Sequence, residues 1–240
     1  MLTPNLLEIS PSLYRLRIEG GLAHLLNSYI WIDADGVTLI DTGWPDSAQL
    51  ISDSLSTLDR GHSDVRRVIL THFHDDHSGS AAEIANWGDV EVVAGRDEAA
   101  YVTGAEQGPV AVLTAKEKSI AGEVTQPPHG PACRVDHLVD DGDVLDFAGG
   151  TRVITTPGHT PGSIALYLPE PSVVLTGDSV AEFGGDVILG VINTDRAEAS
   201  RSLIRLAETG ADVAGFGHGE PCLSEASARI RAAIDPFSDV

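Results

Sequence analysis

"ILTHFHDDHSG", residues 69–79, places three histidines and two aspartates within six consecutive positions, from His72 to His77. The stretch begins with an apolar run that is typical of a buried strand, so these polar side chains start where that strand ends. A surface loop needs polar residues, but it does not need this many groups that bind protons and metal ions. The stretch therefore predicts a metal site, provided that isolated histidines and aspartates elsewhere in the chain complete it.

The length and composition are those of an ordinary globular protein. The chain has 240 residues, and a single domain covering 1–240 is the default at this length. No apolar run approaches the ~18 residues that span a bilayer. The N-terminus lacks the basic start and unbroken apolar stretch of a signal peptide. Because only two cysteines are present, Cys133 and Cys222, far apart in sequence, we expect a reducing, cytoplasmic location.

The net charge of −21 arises from 36 acidic and 15 basic residues. Phosphate backbones and anionic lipid surfaces repel a chain of this charge. We therefore expect neither nucleic acid nor a membrane as a partner, and we expect a small molecule as the substrate. The sequence indicates no particular oligomeric state.

Apolar periodicity divides the chain into two similar halves. The first half predicts strands at 12–18, 27–33, 36–43, 65–72 and 89–95, with a helix at 46–58; from Asp136 strands return, followed by helices at 198–210 and 223–234. Two sheets packed face to face, each with helices on its outer face, form a four-layer α/β/β/α sandwich of the α/β class. Residues 103–134 between the halves are rich in proline and glycine and have weak periodicity. They predict a short helix or a mobile flap, and a plain connector is an equal alternative.

Three further candidate ligands follow predicted strands downstream. His159 stands in "TPGHTPGS", Asp178 in "LTGDS" and His218 in "GFGHGEP", each close to a glycine that lets the backbone turn sharply. Because strand ends meet at one edge of a sandwich, these side chains can converge on the His72–His77 loop. The candidate metal ligands are His72, His74, Asp76, His77, His159, Asp178 and His218. We expect the histidines without a partner motif to be structural or surface residues; these are His24, His62, His129 and His137.

The chemistry of the candidate set favours zinc. Neutral imidazoles and carboxylates are zinc ligands, and two metal ions ~3.5–4 Å apart need about six or seven protein ligands, one of them shared. A carboxylate has two oxygens and can bridge two ions, whereas a histidine cannot, so Asp178 is the expected bridge. The set predicts two zinc ions, with iron or manganese as alternative metals.

The motifs, in this order, resemble those of the metallo-β-lactamase fold superfamily. "HFHDDH" matches its His-x-His-x-Asp-His motif, with "LIDTG" upstream and "PGHTPGS", "TGDS" and "GHGEP" downstream, over roughly residues 25–222. The superfamily has the α/β/β/α fold, and the resemblance places Asp41 near the site as a structural residue. It implies one metal at His72, His74 and His159 and a second at Asp76, His77 and His218, with Asp178 shared.

The resemblance implies a metallo-hydrolase of the di-zinc branch, similar to glyoxalase II and to lactonases, which share all seven ligands. Metal-bound hydroxide would attack the carbonyl carbon of a thioester, lactone or other ester-like bond. Asp76 is the expected catalytic residue, because it would orient that hydroxide and take up its proton. The substrate-binding residues are not indicated, although a flap would offer Tyr101, Val110, Val112 and Leu113.

Departures from individual branches leave two alternatives open. Class B1 and B2 β-lactamases carry cysteine where Asp178 stands, and class B3 enzymes lack a metal-binding aspartate there, so a β-lactamase-like amide hydrolase is disfavoured. The chain also lacks the basic, tyrosine-bearing C-terminal segment that would hold glutathione, and no tyrosine follows Tyr167, although lactonases use one near the metals. The second alternative is an oxidoreductase similar to persulfide dioxygenases, with a single iron in place of two zinc ions.

Overall fold

The computed structural model describes residues 5–20, 24–121 and 129–239, without the side chains at 24, 120 and 121. The strands are β1 (Leu6–Ser10), β2 (Leu13–Gly20), β3 (His24–Ile32), β4 (Val37–Ile40), β5 (Val65–Leu70), β6 (Glu91–Gly95), β7 (His137–Val139), β8 (Val144–Leu145), β9 (Thr151–Thr155), β10 (Ile164–Leu168), β11 (Val173–Leu175), β12 (Val180–Phe183), β13 (Asp186–Leu189) and β14 (Val213–Gly215). The helices are α1 (Ala48–Thr57), α2 (Asp75–Ser78), α3 (Ala81–Ile84), α4 (Ala99–Val102), α5 (Ala115–Ala121), α6 (Arg196–Ala207) and α7 (Ala226–Arg231).

Two sheets carry the fold. The first has the order β1-β2-β3-β4-β5-β6-β7 and the second β14-β11-β10-β9-β8, while β12 and β13 form a separate hairpin. The short turn at Asp35 and Gly36 makes β3 and β4 antiparallel. From β4 to β7 the strands run parallel, because longer connections, such as the one through α1, return the chain to the same end of the sheet.

Three buried clusters show how the layers stack. The first lies between α1 and the first sheet and includes Ile51 and Val68. The second lies between the two sheets and includes Ile69 and Leu166. The third lies between the second sheet and α6 and includes Leu203. Because consecutive strand residues point to opposite faces, Val68 faces the helices and Ile69 faces the other sheet. The predicted four-layer α/β/β/α sandwich is confirmed.

One edge of the sandwich gathers the ends of strands from both sheets. Chain segments that follow β4, β5, β9, β11 and β14 carry, in that order, Asp41, the His72–His77 loop, His159, Asp178 and His218. The carboxyl ends of parallel strands are where α/β folds place their sites. No helix within the described ranges is long and apolar enough to cross a membrane.

Candidate metal centre

The His72–His77 loop begins two residues after β5 ends. His72 is buried, and His74 still has extended backbone angles before α2 starts at Asp75. Residues two apart on an extended chain point to the same side, so His72 and His74 are presented together. The turn into α2 then brings Asp76 and His77 round to a neighbouring position.

His72, His74 and His159 form the three-histidine group, in which ring nitrogens face one another. His159 Nε2 lies 3.2 Å from His72 Nε2 and 3.0 Å from His74 Nδ1. His159 Nδ1 donates to the Val191 carbonyl at 3.0 Å, which leaves the Nε2 lone pair directed into the group. Thr71 Oγ1 donates to Asp41, so it accepts from His72 Nδ1 at 3.0 Å and fixes the tautomer of that ring as well.

The electrostatics of the three-histidine group keep its rings neutral. Burial lowers the pKa of His72 well below its ordinary value, and burial together with His159 lowers the pKa of His74 to about 3. Burial also lowers the pKa of His159. Tetrahedral nitrogen ligands ~2.0–2.1 Å from a zinc ion lie about 3.3 Å from one another, close to the observed spacing. Neutral nitrogens at this spacing fit a metal ion, since their lone pairs would otherwise repel.

Asp76, His77 and His218 form the mixed group, where imidazoles face carboxylates. His218 Nε2 lies 3.2 Å from Asp76 Oδ2, and His77 Nε2 lies 3.7 Å from the same oxygen. Asp41 Oδ2 accepts from His77 Nδ1 at 2.9 Å, which turns His77 Nε2 toward the group. Such a carboxylate behind a histidine is a common means of orienting a metal ligand. Asp41 thus lies beside the site, as the motif implies.

The histidines of the mixed group carry opposite pKa shifts to those of the three-histidine group. Burial acts to lower the pKa values of His77 and His218, but Asp178 and Asp76 outweigh it, raising the pKa of His77 well above its ordinary value and that of His218 to about 9. Burial acts to raise the pKa of Asp76, yet His77 and His218 bring it down to about 2. Carboxylates that hold protons on these rings would equally stabilise a divalent cation in their place.

Asp178 lies between the two groups. Its Oδ1 is 3.2 Å from His77 Nε2, and its Oδ2 is 3.3 Å from His218 Nε2 and 3.7 Å from His159 Nε2. The buried atoms His77 Nε2 and Asp178 Oδ1 have no hydrogen-bond partner among the described residues. Two close, buried, polar atoms without hydrogen-bond geometry fit a site that is completed by metal ions. The residues that combine into possible metal-binding triplets are His72 with His74 and His159, His72 with His77 and Asp178, and Asp76 with His77 and His218.

All seven predicted ligands therefore come together, whereas the described remaining histidines lie elsewhere. His62 stacks on Trp87 with 3.8 Å between ring centroids, and His137 pairs with Glu91 at 3.4 Å. His129 Nδ1 lies 2.7 Å from Asp75, the one acidic residue of the loop that belongs to neither group. The side chain of His24 lies outside the described residues.

Two residues that form hydrogen bonds at the site were not predicted from the sequence. Thr71 links Asp41 to His72, and Glu98 accepts hydrogen bonds from Phe73 on the His72–His77 loop and from Thr160 beside His159. Thr71 stands next to the motif, and Glu98 follows β6 at the same edge of the sheet, so position relative to the strand ends is the signal that could have found them.

Comparison with known proteins decides the family. The family model for the metallo-beta-lactamase superfamily matches residues 24–218. This chain belongs to the metallo-beta-lactamase superfamily. The probable metallo-hydrolase YflN of Bacillus subtilis (strain 168) is 33% identical over 199 residues, which cover 76% of this chain and 75% of that protein.

Two other members of the superfamily extend the comparison. A hydroxyacylglutathione hydrolase of Rhizobium meliloti (strain 1021) is 26% identical over 185 residues, covering 76% of this chain and 58% of the relative. The crystal structure of a metallo-beta-lactamase family protein from Thermus thermophilus superposes with a TM-score of 0.71 at 28% identity, covering 94% of this chain and 79% of that one. The superfamily, the fold and the enzyme class of metallo-hydrolase are thereby confirmed.

Proposed function

We propose that this member of the superfamily uses two zinc ions to hydrolyse a thioester, lactone or other ester-like bond of a small molecule. The observation that carries the proposal is the position of Asp178, whose two oxygens face histidines of both groups. A carboxylate shared in this way is the arrangement that two metal ions require. The name of the Rhizobium meliloti relative, hydroxyacylglutathione hydrolase, supports cleavage of an acyl bond.

The net charge and the cysteines of the chain support a small-molecule substrate and a reducing compartment. The net charge of −21 disfavours nucleic acid and anionic membranes as partners. Cys133 and Cys222 are both free and buried. We therefore include a cytoplasmic location in the proposal.

Different residues of the chain would have different roles in such a reaction. Bound metal ions would supply Lewis acidity, lowering the pKa of a water molecule and polarising a substrate carbonyl. The three-histidine group would hold one ion and the mixed group the other. His77 and His218 keep the pKa of Asp76 low, so its carboxylate is ionised at neutral pH and would orient an incoming water and accept its proton.

Exposure shows which candidate ligands border the opening of the site. The side chains of His72, His77 and His159 are buried, whereas His74 is half-buried and the side chains of His218 and Asp76 are 24% and 19% exposed. Members of both groups therefore border the opening, and we propose that a substrate enters beside His74, Asp76 and His218.

The segment proposed as a flap packs on the His72–His77 loop and is linked to His159 through residues 193 and 194. A Cβ added to Gly108 would lie 2.2 Å from the ring of Phe73, so the backbone at 108 packs directly on the His72–His77 loop. Val112 N donates to Asn193 O at 2.9 Å, and the neighbouring Thr194 N donates to His159 O. Val110 is 90% exposed. We propose that this apolar stretch contacts the substrate.

Metal analysis combined with a substrate panel tests the proposal. The purified chain should contain about two zinc ions and should hydrolyse a thioester or a lactone in the panel. Chelation should abolish that activity and added zinc should restore it. One iron per chain with oxygen consumption on a persulfide would contradict the proposal in favour of a dioxygenase, and cleavage of a β-lactam alone would favour an amide hydrolase.

A further inference from the structure

Glu98 is a buried carboxylate that takes no part in the mechanism described above. It directly precedes α4, on the turn after β6, and its side chain has no exposure to solvent. Burying a carboxylate costs free energy unless hydrogen bonds compensate it. Its hydrogen-bond partners therefore indicate why a carboxyl group stands there.

The hydrogen bonds of Glu98 reach both loops that carry the three-histidine group. Glu98 Oε1 accepts from the Phe73 N–H at 2.8 Å and from Thr160 Oγ1 at 2.9 Å. Glu98 Oε2 accepts from the Gly162 N–H at 2.9 Å. Phe73 stands between two ligands of the group, and Thr160 directly follows the third. One carboxylate thus connects the segments that present all three rings.

The packing around Glu98 leaves these segments little freedom to shift. A Cβ added to Gly162 would lie 2.4 Å from Glu98 N and 2.6 Å from Glu98 Oε2. A Cβ added to Gly95 would lie 2.5 Å from Gly162 O. These distances are shorter than any ordinary contact, so the loop after His159 lies directly on the turn between β6 and α4.

The mixed group is fixed by different contacts. His77 is oriented by Asp41, and His218 lies on the loop after β14, where its neighbour Gly217 accepts from Asn27 N at 2.8 Å. Within the described residues, the side-chain hydrogen bonds of Glu98 involve none of these positions. The mixed group shares the His72–His77 loop but has these further contacts of its own, so a change at Glu98 should act mainly on the three-histidine group.

We propose that Glu98 is a positioning residue that sets the spacing between the His72–His77 loop and the His159 loop, and thereby the metal affinity of the three-histidine group. The inference rests on the proposed two-metal site. Residues that orient metal ligands from behind typically change metal affinity about 10–100-fold when they are replaced. Loss of the carboxylate would also leave the Phe73 and Gly162 N–H groups buried without an acceptor.

Glu98→Gln is the most specific variant because it preserves the size of the side chain. A glutamine offers one carbonyl oxygen, so its NH₂ must face either the Phe73 N–H or the Gly162 N–H, donor against donor. Asp97→Asn is the matched control, since it removes one negative charge from an exposed neighbour. Thr160→Val is a second variant that removes only the hydroxyl contact.

The experiment titrates the metal-free full-length chain with Zn²⁺ by calorimetry and with Co²⁺ by absorption spectroscopy. Each variant is also made together with His218→Ala, which should leave the three-histidine group alone to bind. We expect Glu98→Gln to lower the affinity of one of the two metal-binding events about tenfold or more. In the His218→Ala background, the affinity of the one remaining event should fall by the same factor. Asp97→Asn should change neither event.

The outcomes separate the positioning role from the two-metal site itself. If the wild-type chain binds one metal or none, the two-metal proposal fails and this inference fails with it. If two ions bind but Glu98→Gln weakens neither event, or both alike with a lowered melting temperature, Glu98 has a merely structural role. If Glu98→Gln does not fold, Thr160→Val decides: selective weakening of the same event supports the inference and unchanged binding overturns it.

Discussion

The three-histidine group and the mixed group use the same imidazole side chain under opposite electrostatic conditions. In the three-histidine group, burial and neighbouring rings lower the histidine pKa values. In the mixed group, Asp178 and Asp76 raise the pKa of His77 and of His218 despite burial. A metal ion entering the first group displaces no proton, whereas one entering the second competes with protons. The difference shows that a facing carboxylate, rather than burial alone, decides the charge state of a ligand.

Replacing Asp178 should have the largest effect on metal binding and turnover, because this residue faces both groups. Asp178→Ala removes the oxygens that face His77, His218 and His159, so we expect zinc content and turnover to fall to near zero. His218→Ala should lose only the ion of the mixed group and keep about one zinc per chain. Zinc per chain, measured by mass spectrometry, checks both. Full metal and activity in Asp178→Ala would show that Asp178 is not the bridge.

Replacing Asp76 should affect the mixed group alone, through both metal binding and proton transfer. Asp76→Asn keeps the size of the side chain but removes its charge, so turnover should fall roughly 10²–10⁴-fold, the usual contribution of a positioned acid or base. The three-histidine group should keep its ion. Asp75→Asn is the matched control, since Asp75 contacts His129 and Gly130 instead of either group. Steady-state kinetics on an active substrate measure the effect; near-normal turnover in Asp76→Asn would assign the proton to another group.

The thermal stability of the metal-free protein should depend on pH through the mixed group. The pKa of His218 is about 9 in the folded chain and ~6.5 in an unfolded one. Its contribution to stability is therefore fully present below pH ~6.5 and is lost as the pH rises through about 9. We expect the melting temperature of chelated protein to fall by about 5 °C between pH 7 and pH 9.5, as ~1–2 kcal/mol would require.

His218→Ala is the control for this pH effect, because it lacks the titrating ring. Its melting temperature should change less over the same pH interval, and so should that of the zinc-loaded wild type, where a cation replaces the protons. Differential scanning calorimetry, with chelator for the two metal-free samples, measures all three. Parallel curves for wild type and His218→Ala would place the origin of the pH effect outside the mixed group.

The sequence predicted which side chains come together better than it predicted the contacts that position them. The positions of the candidate ligands could be predicted because each follows a strand, and strand ends share one edge of the sandwich. The contact between Glu98 and Thr160 joins residues 62 positions apart, and no local pattern specifies such a pair. Ile192 has a left-handed backbone (φ +60°) that a β-branched residue rarely adopts. That conformation is imposed by tertiary contacts, so propensity cannot predict it.

Short secondary-structure elements were also difficult to predict from the sequence. The strand β1 and the hairpin of β12 and β13 were not predicted, since runs of four or five residues give little periodicity. The segment 103–134, for which the sequence allowed a short helix, a flap or a connector, contains the helix α5 in its described part. Its residues 122–128 lie outside the described residues, so the flap prediction stands on 103–121 and 129–134 alone.

Shortening residues 105–112 should have the smallest effect and should leave both groups intact. The segment contacts the His72–His77 loop through Gly108 on Phe73 and contacts Asn193 through Val112, and it provides none of the seven candidate ligands. We therefore expect a raised KM or a changed substrate preference, because exposed apolar side chains such as Val110 would no longer cover the substrate. Zinc content and melting temperature should stay nearly unchanged. If the variant does not fold, or if its kinetics on every active substrate are unaltered, the segment is a structural connector and other residues select the substrate.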